Sequence, residues 1–73
     1  MNAEMRAKAH LEKKLKDEAR RTGKPAPEVV SLETQYWAGG YEKFCFIVAS
    51  GENYFPRSFT VTVYTNSYRV VEI

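Results

Sequence analysis

Cys45 and His10 are the only thiol and the only imidazole in a chain of 73 residues, so a thiol–imidazole pair could be built only from these two. A thiolate nucleophile needs a positioned base beside it. His10 lies in a charged, helix-favouring segment far along the chain from Cys45, which sits between Phe44 and Phe46 in a strand-like run. Cys45 therefore reads as a small packing residue and His10 as a solvated helix residue. The carboxylates are scattered, without the paired spacing that acid/base work requires. One histidine and one cysteine supply neither a structural zinc site nor an internal disulfide. Gly39-Gly40 joins two strand-like runs, whereas a phosphate-cradling loop joins a strand to a helix. The expectation is a chain that is not an enzyme and holds no cofactor and no metal.

Two features remain that could bind. The first is aromatic: ten Phe, Tyr and Trp residues, none before Tyr36. Tyr36, Trp37 and Tyr41 surround one turn, Tyr54 and Phe55 another, and Lys43, Arg57 and Arg69 supply cations around them. Such a patch suits stacking on a base or anchoring a protein partner, although the same residues could instead close the ends of a small core. The candidate partner-binding residues are Trp37, Tyr41, Lys43, Tyr54, Phe55 and Arg57. The second feature is basic. Residues 1–24 carry eight Lys and Arg against four Asp and Glu, while the rest of the chain is net acidic and the whole is +2. Lys13, Lys14 and Lys16, then Arg20, Arg21 and Lys24, form two clusters able to follow an acidic groove or a phosphate chain. The glutamates among them dilute the signal and favour a protein partner, with nucleic acid close by.

These side chains need elements to hold them. Asn2 to Arg21 favours helix, with Asn2 able to cap its start and Gly23 to close its end. Ala7, Leu11, Leu15 and Ala19 make only a thin apolar stripe, so this helix either rests Leu11 and Leu15 on the body or stays partly frayed until a partner arrives. Gly23-Lys24-Pro25-Ala26-Pro27 stops it, because two prolines fix φ and bias the residues before them away from helix. Residues 1–24 thus form a basic helical arm and 25–73 a β body within one domain. Glu28 to Trp37 alternates as a strand with Val30, Leu32, Thr34 and Tyr36 on its mainly apolar face. Tyr41 to Tyr64 reads as a hairpin turning at Ser50-Gly51-Glu52-Asn53, with Phe44, Phe46 and Val48 facing Phe59, Val61 and Val63 as the core. Pro56 delays the second strand, and its ladder resumes at Ser58. Thr65-Asn66-Ser67 turns into a last strand, Tyr68 to Ile73. The fold class is α+β: an N-terminal helix followed by a four-stranded antiparallel meander, curled toward an SH3-like half barrel.

At this length a single core stabilises only marginally, so packing must be efficient. No apolar run approaches the roughly 20 residues of a membrane span, and the first residues lack the apolar middle of a secretory signal. A soluble, intracellular monomer without membrane contact is expected.

Taken whole, the short length, the opening MNAEMRAKAHLEKKLKDEARR helix and the aromatic β body ending SFTVTVYTNSYRVVEI resemble the small transcription regulators of lytic Xanthomonas phages that bind host RNA polymerase. The resemblance implies a non-enzymatic protein of the host cytoplasm that docks near the N-terminus of the polymerase β′ subunit. It implies inhibition of initiation by sigma displacement, and antitermination during elongation with nascent RNA nearby. No short motif carries a residue's role across. A small nucleic-acid-binding module using the basic helix and the aromatic patch is the alternative, and a structural virion or assembly protein the second alternative.

Overall fold

The computed structural model describes residues 2–49 and 56–73. A single helix, α1 (Ala3–Thr22), precedes four strands: β1 (Glu28–Ala38), β2 (Tyr41–Ala49), β3 (Pro56–Val63) and β4 (Tyr68–Glu72). The strands pair antiparallel in the order β1-β2-β3-β4, so the sheet is an open meander with β1 and β4 at its edges.

The helix begins and ends where its sequence says it should. Asn2 is extended, and its Oδ1 accepts a hydrogen bond from the Met5 N–H at 2.8 Å, satisfying one of the donors orphaned at a helix start. Gly23 closes the other end at φ 71°, a left-handed conformation that costs glycine nothing. Between these caps the helix is docked along the sheet. Ala7, Leu11 and Leu15 are buried and join Phe44, Phe46, Val48, Phe59, Val61 and Val63 in one core.

The stripe is thin, as its residues imply, but three phenylalanines of the sheet supply the bulk that the helix lacks. Spacing of four residues advances about 40° around the cylinder per step, so Ala7, Leu11 and Leu15 stay within one apolar face. Polar and aromatic contacts to Tyr68 hold the first half of the helix. The His10 ring stacks on Tyr68 with centroids 4.5 Å apart, and Arg6 Nε donates to the Tyr68 hydroxyl at 3.1 Å. His10 is therefore a packing residue of the helix–sheet seam and not a solvated one.

The core face of β2 and β3 follows the expected alternation residue for residue. Phe44 pairs with Val61 and Phe46 with Phe59, all buried. Strand β1 departs from simple alternation. Its register shifts between Val29 and Ser31 and again between Leu32 and Thr34. Each shift is a bulge that leaves one residue out of the pairing. Val29 and Leu32 consequently pack against the core together, while Val30 turns out to solvent at 61 % exposure. An expected apolar face of Val30, Leu32, Thr34 and Tyr36 assumes an unbroken pleat, which the bulges remove.

The turns among the described residues are short. β1 ends at Ala38, which faces Tyr41 across Gly39-Gly40, with Gly40 at φ 95°. The Tyr64 N–H donates to the Ser67 carbonyl at 2.9 Å before β4. Pairing of β3 begins at Pro56, opposite Ala49, two residues earlier than Ser58. The first position of a strand tolerates a missing N–H. The turn expected at Ser50-Gly51-Glu52-Asn53 lies outside the described residues. No helix among the described residues is long and apolar enough to cross a membrane.

Candidate functional site

Pairing partners in a sheet share a face, so the register sorts every strand residue to one side or the other. The side under α1 carries Phe44, Phe46, Val48, Phe59, Val61, Val63, Tyr68 and Val70, and also Arg57 and Glu72. The opposite side carries no helix. Across it runs a row in which Tyr36 faces Lys43, Lys43 faces Thr62, and Thr62 faces Arg69. One step toward the Gly39-Gly40 turn lies Tyr41, whose ring centroid is 6.4 Å from that of Tyr36 and 6.1 Å from that of Tyr64. The Lys43 ammonium sits 5.6 Å from the Tyr41 centroid, within cation–π range. Three tyrosines and a lysine are thus gathered at one end of the open face.

Trp37 belongs to this end but to the other side, since it pairs with Glu42. It is 72 % exposed, the most exposed aromatic of the described residues. With Ala3, Arg6, Tyr41, Glu42 and Tyr64 it borders a shallow cleft of about 360 Å³ between the helix start and the two turns. The cleft is open to solvent and flanked by one cation and one carboxylate, which suits a protruding side chain of a protein partner better than an enclosed small molecule.

Arg57 does not join the patch. It faces Val48 at the far end of the sheet, on the helix side. There Arg57 Nε donates to Glu72 Oε2 at 2.8 Å and its second terminal nitrogen to Glu72 Oε1 at 2.9 Å, a two-point clamp. A further contact of 3.4 Å reaches Glu18 of α1, and the guanidinium lies 5.0 Å from the Phe59 ring. Arg57 is therefore a tie between β3, β4 and the helix. The hydrogen bonds to Glu72 raise the Arg57 pKa above its ordinary value, and the same bonds hold the Glu72 carboxyl below its own.

A carboxyl depressed in the folded state stabilises above its unfolded pKa and loses that contribution as pH falls through the folded one. Wild type should thus lose stability on acidification from about pH 4.5 downward more than Glu72→Gln does, as thermal melts over pH 2–7 would register. Parallel profiles for the two proteins would mean that the clamp contributes nothing. The effect is small, because both side chains keep solvent contact and an exposed pair is worth at most about 1 kcal/mol.

Of the other candidates, Tyr54 and Phe55 lie outside the described residues. Lys13, Lys14, Lys16, Arg20, Arg21 and Lys24 are all exposed, and none is in an ion pair among the described residues. Lys13, Lys16 and Arg20 lie on the outward face of the helix with Asp17. Because α1 covers one side of the sheet and the tyrosines occupy the other, Lys13, Lys16 and Arg20 face away from the tyrosine cluster. Cys45 is half-buried on the open side, its thiol 3.8 Å from Glu33 Oε2. No group of three or more His, Cys, Asp or Glu among the described residues could hold a metal ion.

Tyr64 is the member of the cluster that sequence reasoning missed. It shares parity with Thr60 and Thr62 and opposes that of Phe59, Val61 and Val63, so alternation carried through Val63 would have placed it beside Tyr41. Set against known proteins, the chain matches no protein-family model, no curated protein and no solved structure.

Proposed function

We propose that this chain is a non-enzymatic regulator that binds bacterial RNA polymerase, docking through the Trp37 end of the molecule near the N-terminal region of the β′ subunit. Binding there inhibits initiation by displacing sigma and promotes antitermination during elongation. The observation that supports docking at this end is Trp37 itself, held 72 % exposed at the rim of a cleft with Tyr41 and Tyr64. Tryptophan and tyrosine anchors beside a cleft are the side chains that dominate protein–protein affinity, and they commonly project from otherwise rigid elements. The identity of the partner rests on the resemblance of the helix and the β body to the phage regulators.

Tagged protein should recover polymerase subunits from nuclease-treated bacterial extract at moderate salt, because buried aromatic anchors are screened little compared with exposed charge pairs. Trp37→Ala removes no core contact and should weaken the complex about 30-fold or more while leaving the melting temperature unchanged. Purified protein should lower sigma-dependent transcription from a promoter template in the same order of variants. Recovery of no polymerase subunit, or recovery indifferent to Trp37, would defeat this assignment.

A further inference from the structure

The open face of the sheet has a polarity that the docking end does not explain. The two rows nearest the Gly39-Gly40 turn hold Tyr41, Tyr64, Tyr36, Lys43, Thr62 and Arg69, and no carboxylate among the described residues. The carboxylates of this face lie further along it. Glu33 approaches the Cys45 thiol in the next row, and Glu28 pairs with Ala49 at the far end. Neither Lys43 nor Arg69 is in an ion pair among the described residues. Tyr36 is 57 % exposed and Tyr64 38 %, so both offer ring surface to solvent. The row from Tyr36 to Arg69 crosses all four strands, roughly 14 Å by ordinary strand spacing.

Aromatic rings on a rigid sheet, flanked by unpaired cations and free of acidic groups, match one partner chemistry closely. Unstacked bases lie on the rings and the phosphates between them meet the cations. Each stacked base needs only a π-face, so such a platform is tolerant of sequence, and a four-stranded sheet accommodates two or three bases. We propose that the Tyr36–Tyr41–Tyr64 end of the open face, with Lys43 and Arg69, binds single-stranded nucleic acid.

The site goes beyond docking on polymerase, and it differs from the basic helix, which lies on the other side of the molecule. A duplex is excluded as the preferred ligand, because its bases are already stacked and offer no free faces to the tyrosines. Charge complementarity selects an anionic strand over a second copy of this chain. Two copies stacked face to face in one orientation would bring Lys43 and Arg69 against each other.

Fluorescence anisotropy of labelled eight-nucleotide oligo-U, oligo-dT and a duplex of equal length, titrated with purified protein, tests the assignment without polymerase. Both single strands should bind at low salt and the duplex distinctly more weakly. The affinity should fall with a log–log salt slope of about −1.4 for two phosphate contacts, and Lys43→Gln or Arg69→Gln should each flatten the slope by about 0.7. Tyr36→Ala should weaken binding about fivefold or more, and Tyr36→Phe, which keeps the ring, should restore it.

Trp37→Ala should leave oligonucleotide binding unchanged, so failure of the polymerase assignment and failure of this one are separately visible. A preference of oligo-U over oligo-dT would assign RNA, and equal binding a strand of either sugar. Three results would overturn the proposal: no binding by wild type at low salt; binding abolished by substituting Lys13, Lys16 and Arg20 while insensitive to Lys43 and Arg69; or a dimer in sedimentation that Tyr36→Ala dissociates.

Discussion

Removing residues 1–24 is expected to leave a chain that no longer folds. Ala7, Leu11 and Leu15 are at most 1 % exposed and form the lid over Phe44, Phe46 and Val61. Without them a continuous apolar sheet face of phenylalanine and valine meets water, at about 25 cal/mol for each Å² uncovered. Truncating a single buried leucine costs about 2–5 kcal/mol, and a domain of this size holds only a few more than that in total. Leu11→Ala or Leu15→Ala should therefore lower the melting temperature steeply, and deletion of the whole helix should abolish the cooperative transition. Far-ultraviolet circular dichroism and proton–nitrogen correlation spectra of the truncated chain are the measurement. A dispersed spectrum and a cooperative melt from residues 25–73 alone would show that the sheet closes its own core and that the helix is an appendage. The basic clusters would then be free to act as an arm.

Phe46→Ala should cost about 3–5 kcal/mol, a large part of what a domain of this size holds in total. Phe46 is 2 % exposed, faces Phe59 and Leu32 in register, and its ring centroid is 6.3 Å from that of Phe44. The buried helix residues above it are the small or medium-sized Ala7, Leu11 and Leu15, which cannot replace the volume of a phenyl ring without moving the helix. The neighbouring Ile47 is the internal control. It points to the open face and is half-buried, so Ile47→Ala should cost distinctly less. Urea titration of the two variants would order them, and a larger loss at Ile47 than at Phe46 would mean a pairing register displaced by one residue.

The elements were legible because their signals are local. Asn2 and Gly23 mark the helix by capping chemistry, Gly39-Gly40 and Thr65-Asn66-Ser67 mark turns by backbone freedom, and Phe44, Phe46, Val48, Phe59, Val61 and Val63 mark a buried face by their period of two. Each depends on a few neighbours in the chain. The docking of α1 was not legible, because the stripe Ala7–Leu11–Leu15 is too small by itself to predict burial. Its adequacy depends on three phenylalanines contributed from the sheet. The bulges in β1 were equally hidden, since Val29 and Val30 are the same residue type and only pairing with Val48 decides which one faces in.

The candidate site divides the same way. By itself the amino-acid sequence determined that the chain concentrates its aromatic residues from Tyr36 onward and clusters most of its cations before Pro25. Those are properties of residue type and order. Tertiary structure alone decided which of them act together. Register carried Arg57 to the helix side, where Glu72 and Glu18 engage it. It brought Tyr64 against Tyr41, and aligned Tyr36, Lys43, Thr62 and Arg69 in one row across four strands. The helix then chose a side, turning Lys13, Lys16 and Arg20 away from the tyrosines. The reason is that strand pairing joins residues distant in the chain with a spacing of a few ångströms. A shift of one position reverses every face, so no local reading of charge or aromaticity can assign a surface until the register is known.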